Sequence, residues 1–109
     1  MQTTIKLDAG ETLAVKIAVP SFLNIDGYEA RIQVRSGVRS PVLFEFDTSD
    51  NTIQKSGQDL NFSFLASQTN NGKAGHYKWQ LMLYDATNVD DVQIFQQGIL
   101  IIEPSIVTK

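Results

Sequence analysis

His76 is the one imidazole in this 109-residue chain. Nucleophilic or general-base catalysis of the ordinary kind would have to be built around it, with a serine or threonine hydroxyl at one ring nitrogen and a carboxylate at the other. It stands near the head of Gly75-His76-Tyr77-Lys78-Trp79-Gln80-Leu81-Met82-Leu83-Tyr84-Asp85, and no G-x-S-x-G elbow exists to present a nucleophile to it. Paired carboxylates are the second route to chemistry. Asp47 with Asp50, or Asp90 with Asp91, could converge, and Asp85, Asp90 and Asp91 carry enough oxygens for a calcium ion. The acidic and glycine spacing of a helix-loop-helix calcium site is missing, however, and loop aspartates ordinarily serve as turn residues. The chain has no cysteine, which excludes disulfides, thiolate nucleophiles and cysteine-ligated zinc. Phosphate-cradling glycine loops and paired histidine ligands are absent too. No catalytic residue, metal or cofactor is expected.

Binding chemistry has better candidates. Tyr28, Trp79 and Tyr84 raise the question of a stacking platform for sugars or bases. Trp79 is spaced with Tyr77, Leu81 and Leu83 and reads as core, whereas Tyr84 falls in the polar row and is expected at the surface. A glycan site would use Tyr84 with loop residues such as Asn70, Asn71, Asn88 and Asp90. Arg31, Arg35 and Arg39 make a short basic stripe, whose simplest role is a solvated face paired with Glu29 and Glu45. The candidate binding residues are therefore Tyr84, Arg31, Arg35, Asn71 and Asp90. A net charge of −3 gives no broad attraction to nucleic acid or to an anionic membrane. No stretch approaches the ~20 apolar residues of a spanning helix, and the opening MQTTIKLDAGE lacks a basic region followed by an apolar run. Retention in a cytoplasm, or assembly there into something larger, is the expectation.

The elements that must position these residues have a period of two almost throughout. Leu13, Val15, Ile17 and Val19 alternate with Thr12, Ala14, Lys16 and Ala18. Tyr28, Ala30, Ile32 and Val34 share one face, and Glu29, Arg31, Gln33 and Arg35 the other. Val42, Phe44 and Phe46, then Leu60, Phe62 and Phe64, continue the pattern, as do Tyr77, Trp79, Leu81 and Leu83. A last strand spans about Val92 to Glu103, ended by Pro104, and Gly98 inside it signals a bulge or a close backbone approach. A weaker strand, Thr3 to Leu7, opens the chain, and Ala66 to Thr69 could close one helical turn. Turn signals separate the runs at Asp8-Ala9-Gly10, Asn24 to Gly27, Ser36-Gly37, Asp50-Asn51, Ser56-Gly57 and Asn70-Asn71-Gly72. The whole reads as one all-β domain over 1–109, an immunoglobulin-like antiparallel β-sandwich of about seven strands, with a small closed barrel as competitor. Its expected core is Leu13, Val15, Ile17, Ile32, Val34, Phe44, Phe62, Phe64, Tyr77, Trp79, Leu81, Ile99 and Ile101.

Three stretches, in matching order, resemble the small immunoglobulin-like virion proteins of bacteriophage tails, baseplates and fibre attachments. Ala30-Arg31-Ile32-Gln33-Val34-Arg35-Ser36 is similar to their a-R-x-Q-V-R-s strand. Leu60 to Phe64, then Thr69, then Gly75 to Leu81 resemble their strand, threonine-containing turn and G-x-Y-x-[WY]-D-[VL] sequence, with Gln80 where aspartate is frequent. Gln97 to Pro104 and Val107-Thr108-Lys109 resemble their closing G-x-x-x-V-x-P-x-V-T-R. The similarity runs from about Glu11 to the end of the chain. It implies a non-enzymatic virion protein, assembled in the bacterial host cytoplasm, whose partners are itself and other virion proteins. Residues 1–7 and 105–109 are then candidate assembly arms. The alternative is a carbohydrate- or receptor-binding module on the same fold.

Overall fold

A computed structural model describes residues 2–20, 25, 27–37, 39–69 and 73–105. The described residues form eight strands: β1 (Gln2–Asp8), β2 (Leu13–Ala18), β3 (Glu29–Arg35), β4 (Phe44–Asp47), β5 (Gln54–Ser56), β6 (Asp59–Phe64), β7 (Gly75–Asp85) and β8 (Asn88–Glu103). They form a five-stranded sheet in the order β1-β8-β7-β3-β4 and a three-stranded sheet in the order β2-β6-β5. The all-β expectation therefore holds, with one more strand than foreseen. Every pairing is antiparallel except β1 with β8, which run parallel from Gln2 opposite Gln97 to Asp8 opposite Glu103. The turn expected at Ala66 to Thr69 is present as a hydrogen-bonded turn, closed by the Gln68 amide on the Leu65 carbonyl at 2.8 Å and the Thr69 amide on the Ala66 carbonyl at 3.4 Å, without extending into a helix. Thr48–Asp50 form a 3-10 turn, and Lys73 also has 3-10 backbone.

The alternation does what the pattern implies. β3 and β6 bury every second residue, sending Ala30, Ile32 and Val34 from one sheet and Leu60, Phe62 and Phe64 from the other into a shared core. Four phenylalanines join the sheets there. Phe44 and Phe46 on β4 meet Phe62 and Phe64 on β6. The Phe44–Phe64 and Phe46–Phe64 pairs are edge-on, with centroids 5.7 and 5.2 Å apart, which sets ring edges against the negative ring faces. Trp79, Leu81 and Leu83 of β7 continue this layer. Leu13, Val15 and Tyr77, expected in the core, are half-buried and pack against its rim. Ile25 and Ile53 are buried anchors outside the strands that no alternation could announce.

The expected core placement of Ile99 and Ile101 is corrected. Ile99 is exposed and Ile101 half-buried, while Leu100 and Ile102 point inward. Two features fix this phase. Leu81 opposes Gln96 but Met82 opposes Ile94, so Phe95 is an extra, unpaired residue that resets the alternation. Gly98 then lies beneath the Trp79 indole, where a Cβ would stand 1.8 Å from the Thr3 carbonyl oxygen and 2.8 Å from Trp79 Nε1. The glycine thus marks the close approach that its place in a strand suggested. Over it, Trp79 Nε1 donates a hydrogen bond to the Thr3 carbonyl at 3.2 Å, giving the buried indole its partner and fastening β1 to the sheet.

Candidate interaction face

Because residues opposite one another on neighbouring strands share a face, the register arranges the outward side chains of the five-stranded sheet in four rungs, beyond which Lys6, Ile101 and His76 continue the face. The first, at the β7–β8 turn, holds Glu29, Tyr84 and Val92. The second holds Asp47, Arg31, Met82 and Ile94, the third Glu45, Gln33, Gln80 and Gln97, and the fourth Arg35, Lys78 and Ile99. The last three rungs border a shallow depression of ≈ 740 Å³. On its β8 side Ile94 and Ile99 are 55% and 39% exposed, and Val92, just beyond it in the first rung, is 45% exposed. Its β3 side is charged.

The second rung is organised by Asp47, the last residue of β4, whose side chain is only 4% exposed. Its Oδ2 accepts Arg31 Nε at 2.7 Å, and both carboxylate oxygens lie within reach of the Tyr84 hydroxyl, at 2.9 and 3.0 Å. Its Oδ1 also caps the Thr48–Asp50 turn by accepting the Ser49 amide at 2.9 Å. Burial pushes the Asp47 carboxyl up, but the Ser49 amide, the Arg31 guanidinium and the Tyr84 hydroxyl together hold it below the usual carboxylate range. The same bond raises Arg31, and burial followed by the Asp47 bond raises the Tyr84 phenol. With its lone pairs taken by three donors, Asp47 is an organising group and not a base awaiting a proton. Its expected companion Asp50 bonds Thr52 instead, as a turn residue does.

Tyr84, expected at the surface, is half-buried. Arg31 lies over its ring at 4.9 Å from the centroid while the hydroxyl is held by Asp47, so one ring face and the polar tip are already engaged. Arg31 finds its carboxylate in Asp47 and not in Glu29 or Glu45, as the stripe had suggested. Glu29 accepts the Thr48 hydroxyl, and Glu45 accepts Gln33 Nε2 at 2.7 Å. Arg35 donates Nη1 to the Ser40 carbonyl at 2.7 Å and Nη2 to Gln33 Oε1 at 3.2 Å, with no carboxylate among the described residues within ion-pair distance. Lys78 beside it is exposed. Gln80 Nε2 donates to Gln97 Oε1 at 3.2 Å, completing a row of amides across the centre.

The β7–β8 turn end is acidic. Asp85 accepts both the Thr87 amide and hydroxyl at 2.8 Å, which holds its carboxyl low. Asp91 accepts the Tyr28 hydroxyl at 2.7 Å, a bond that raises the phenol. Asp90 is exposed, in a stretch of β8 displaced from strict pairing between Tyr84–Val92 and Asp85–Asn88. Among the described residues no three histidine or carboxylate side chains gather to hold a metal, so these three aspartates do not form the calcium cage considered above. His76 is exposed opposite Ile101.

Of the sequence candidates, Arg31 and Tyr84 are brought into contact, Arg35 lies two rungs away on the same face, and Asp90 lies beyond its end. Asn70 and Asn71 lie outside the described residues. Sequence reasoning weighed Asp47 only as a carboxylate paired with Asp50 and missed its place on this face, together with the three glutamines of the third rung, Ile94 and Ile99. Alternation on β3 and β7 carried the signal for Gln33 and Gln80, but Asp47 and the β8 column needed the register. Comparison with protein-family models and with curated proteins finds no match to this chain.

Proposed function

We propose that this is a non-enzymatic structural protein of a bacteriophage virion, of tail, baseplate, neck or capsid-decorating type, built as an immunoglobulin-like sandwich and working through protein–protein assembly. The observation that carries the reading is the outward face of β3, β7 and β8. A column of open aliphatic side chains beside arginine, lysine and amide groups is the composition of a surface made to be covered by protein. The strand order supports the sandwich: β2-β6-β5 form one layer, and β3, β7 and β8 are neighbours in the other, the arrangement of the second, fifth and fourth against the third, sixth and seventh strands of that fold. The three sequence stretches that resemble phage virion domains supply the particle. Fold alone would not, since sandwiches host many functions.

A glycan-binding reading centred on Tyr84 has less to draw on, because its ring is already covered by Arg31 and its hydroxyl bonded to Asp47. The deciding experiment is localisation. Antibody against the protein should label purified phage particles at a repeated position in immunogold micrographs. Recovery solely in the particle-free fraction of the lysate would overturn the assignment.

A further inference from the structure

We propose that the outward face of the five-stranded sheet pairs with the same face of a second copy, about a two-fold axis that lies in the interface across the strands, between the Arg31 and Gln33 rungs. The proposal rests on the protein–protein reading of this face and not on the particle assignment. Three properties of the register select this occupant and this axis.

Charge is separated along the strand direction. Glu29, Asp85 and Asp90 occupy the β7–β8 turn end and Arg35 and Lys78 the other; between them Arg31 is neutralised by Asp47 at 2.7 Å and Glu45 is bonded to the Gln33 amide, while beyond Lys78 the Lys6–Glu103 pair cancels itself. An axis parallel to the strands would place acid on acid and base on base. The axis across the strands turns the second copy end for end, so each acidic end faces a basic one. That axis also keeps β8 over β8. Val92 of one copy then faces the Ile99 rung of the other and Ile94 faces the Gln97 rung, covering the exposed aliphatic column with its counterpart. At the centre the Gln33, Gln80 and Gln97 rung of one copy meets the Arg31, Met82 and Ile94 rung of the other, setting side-chain amides, which both donate and accept, against the Arg31 guanidinium and the Met82 and Ile94 side chains. Sheets packed face to face in this way sit about 10 Å apart with their strands slightly rotated, and two-fold pairs are the commonest homo-oligomers.

The test is sedimentation equilibrium of the purified chain across the micromolar range. A dimer is expected. Ile94→Arg or Ile99→Arg should weaken it roughly hundredfold, the loss typical of disrupting a central apolar contact. Lys78→Glu and Asp90→Lys are both at exposed positions, and each alone should weaken it about tenfold by setting like charge against like. Mixed one to one, these two charge variants should recover the association of the unaltered chain, because in the mixed pair both ends again meet opposite charge. Buried Trp79 fluorescence reports that each variant is folded; if Ile94→Arg is not, Gln80→Arg at the centre of the same face replaces it. A monomer at all concentrations overturns the proposal, as does a dimer indifferent to Ile94, Ile99 and Gln80, or charge variants that do not rescue one another. A chain present in particles but monomeric alone would refute this pairing and spare the virion reading. A dimer absent from particles would do the reverse.

Discussion

The two halves of β8 belong to one strand yet live under different rules. From Gln97 to Ile102 it is paired on both sides, with β7 and with β1, and Gly98 beneath Trp79 fixes which side chains point inward. From Asn88 to Gln96 the described residues pair it with β7 alone, two irregularities interrupt the register, and Val92 and Ile94 stand open. The comparison teaches that packing is uniquely specified where a backbone contact leaves no room for a side chain. Where only one neighbour exists, aliphatic residues are left at the surface, available to another molecule.

Four substitutions break or sharpen that contrast. The largest effect belongs to Trp79→Ala, expected to cost about 3–5 kcal/mol by emptying a core aromatic site and releasing the Thr3 carbonyl; chemical denaturation measures it. An unchanged midpoint would mean the pinned half is not pinned by this ring. Gly98→Ala comes next. Its new methyl would meet the Thr3 carbonyl and the indole, so β1 must move, at about 2–4 kcal/mol. Hydrogen exchange should show β1 amides losing protection while β3 and β6 keep theirs.

Asp47→Asn is expected to cost about 2–3 kcal/mol at neutral pH, from a buried carboxylate bonded to a partly exposed arginine and two further donors. The sign with pH follows from the depressed carboxyl. Its contribution is complete above the unfolded value near ~3.9 and is lost as pH falls through the lower folded value. The stability difference between the parent and this variant should therefore be flat from neutrality to about pH 5 and shrink below ~4. The smallest global effect is Tyr28→Phe, which removes the bond to Asp91 that ties the outer half of β8 to the segment before β3. Faster exchange confined to amides near the β7–β8 turn, with an unchanged melting midpoint, is the expected result.

Much of the architecture was legible because alternation is local. Ile32 and Val34, Phe62 and Phe64, Trp79 and Leu81 each declare a face through the residues on either side, and the structure places all six inward. Gly98-Ile99-Leu100-Ile101-Ile102 is apolar at every position but the first and declares nothing. Its phase was settled by the bulge at Phe95 and the glycine contact with β1, both properties of neighbours distant in sequence. The site was less legible for the same reason. Arg31 and Tyr84 could be placed in polar rows, but the partner that engages both is Asp47 at the end of a four-residue strand. Only the β3–β4 register brings that carboxylate opposite Arg31.

The parallel pairing of β1 with the last seven residues of β8 also orders events during synthesis. The opening strand has no place to dock until a segment some ninety positions later has left the ribosome, so the larger sheet closes last. A nascent polypeptide stalled before Gln97 should hold β1 in a protease-sensitive state, and one stalled well after Glu103 should protect it.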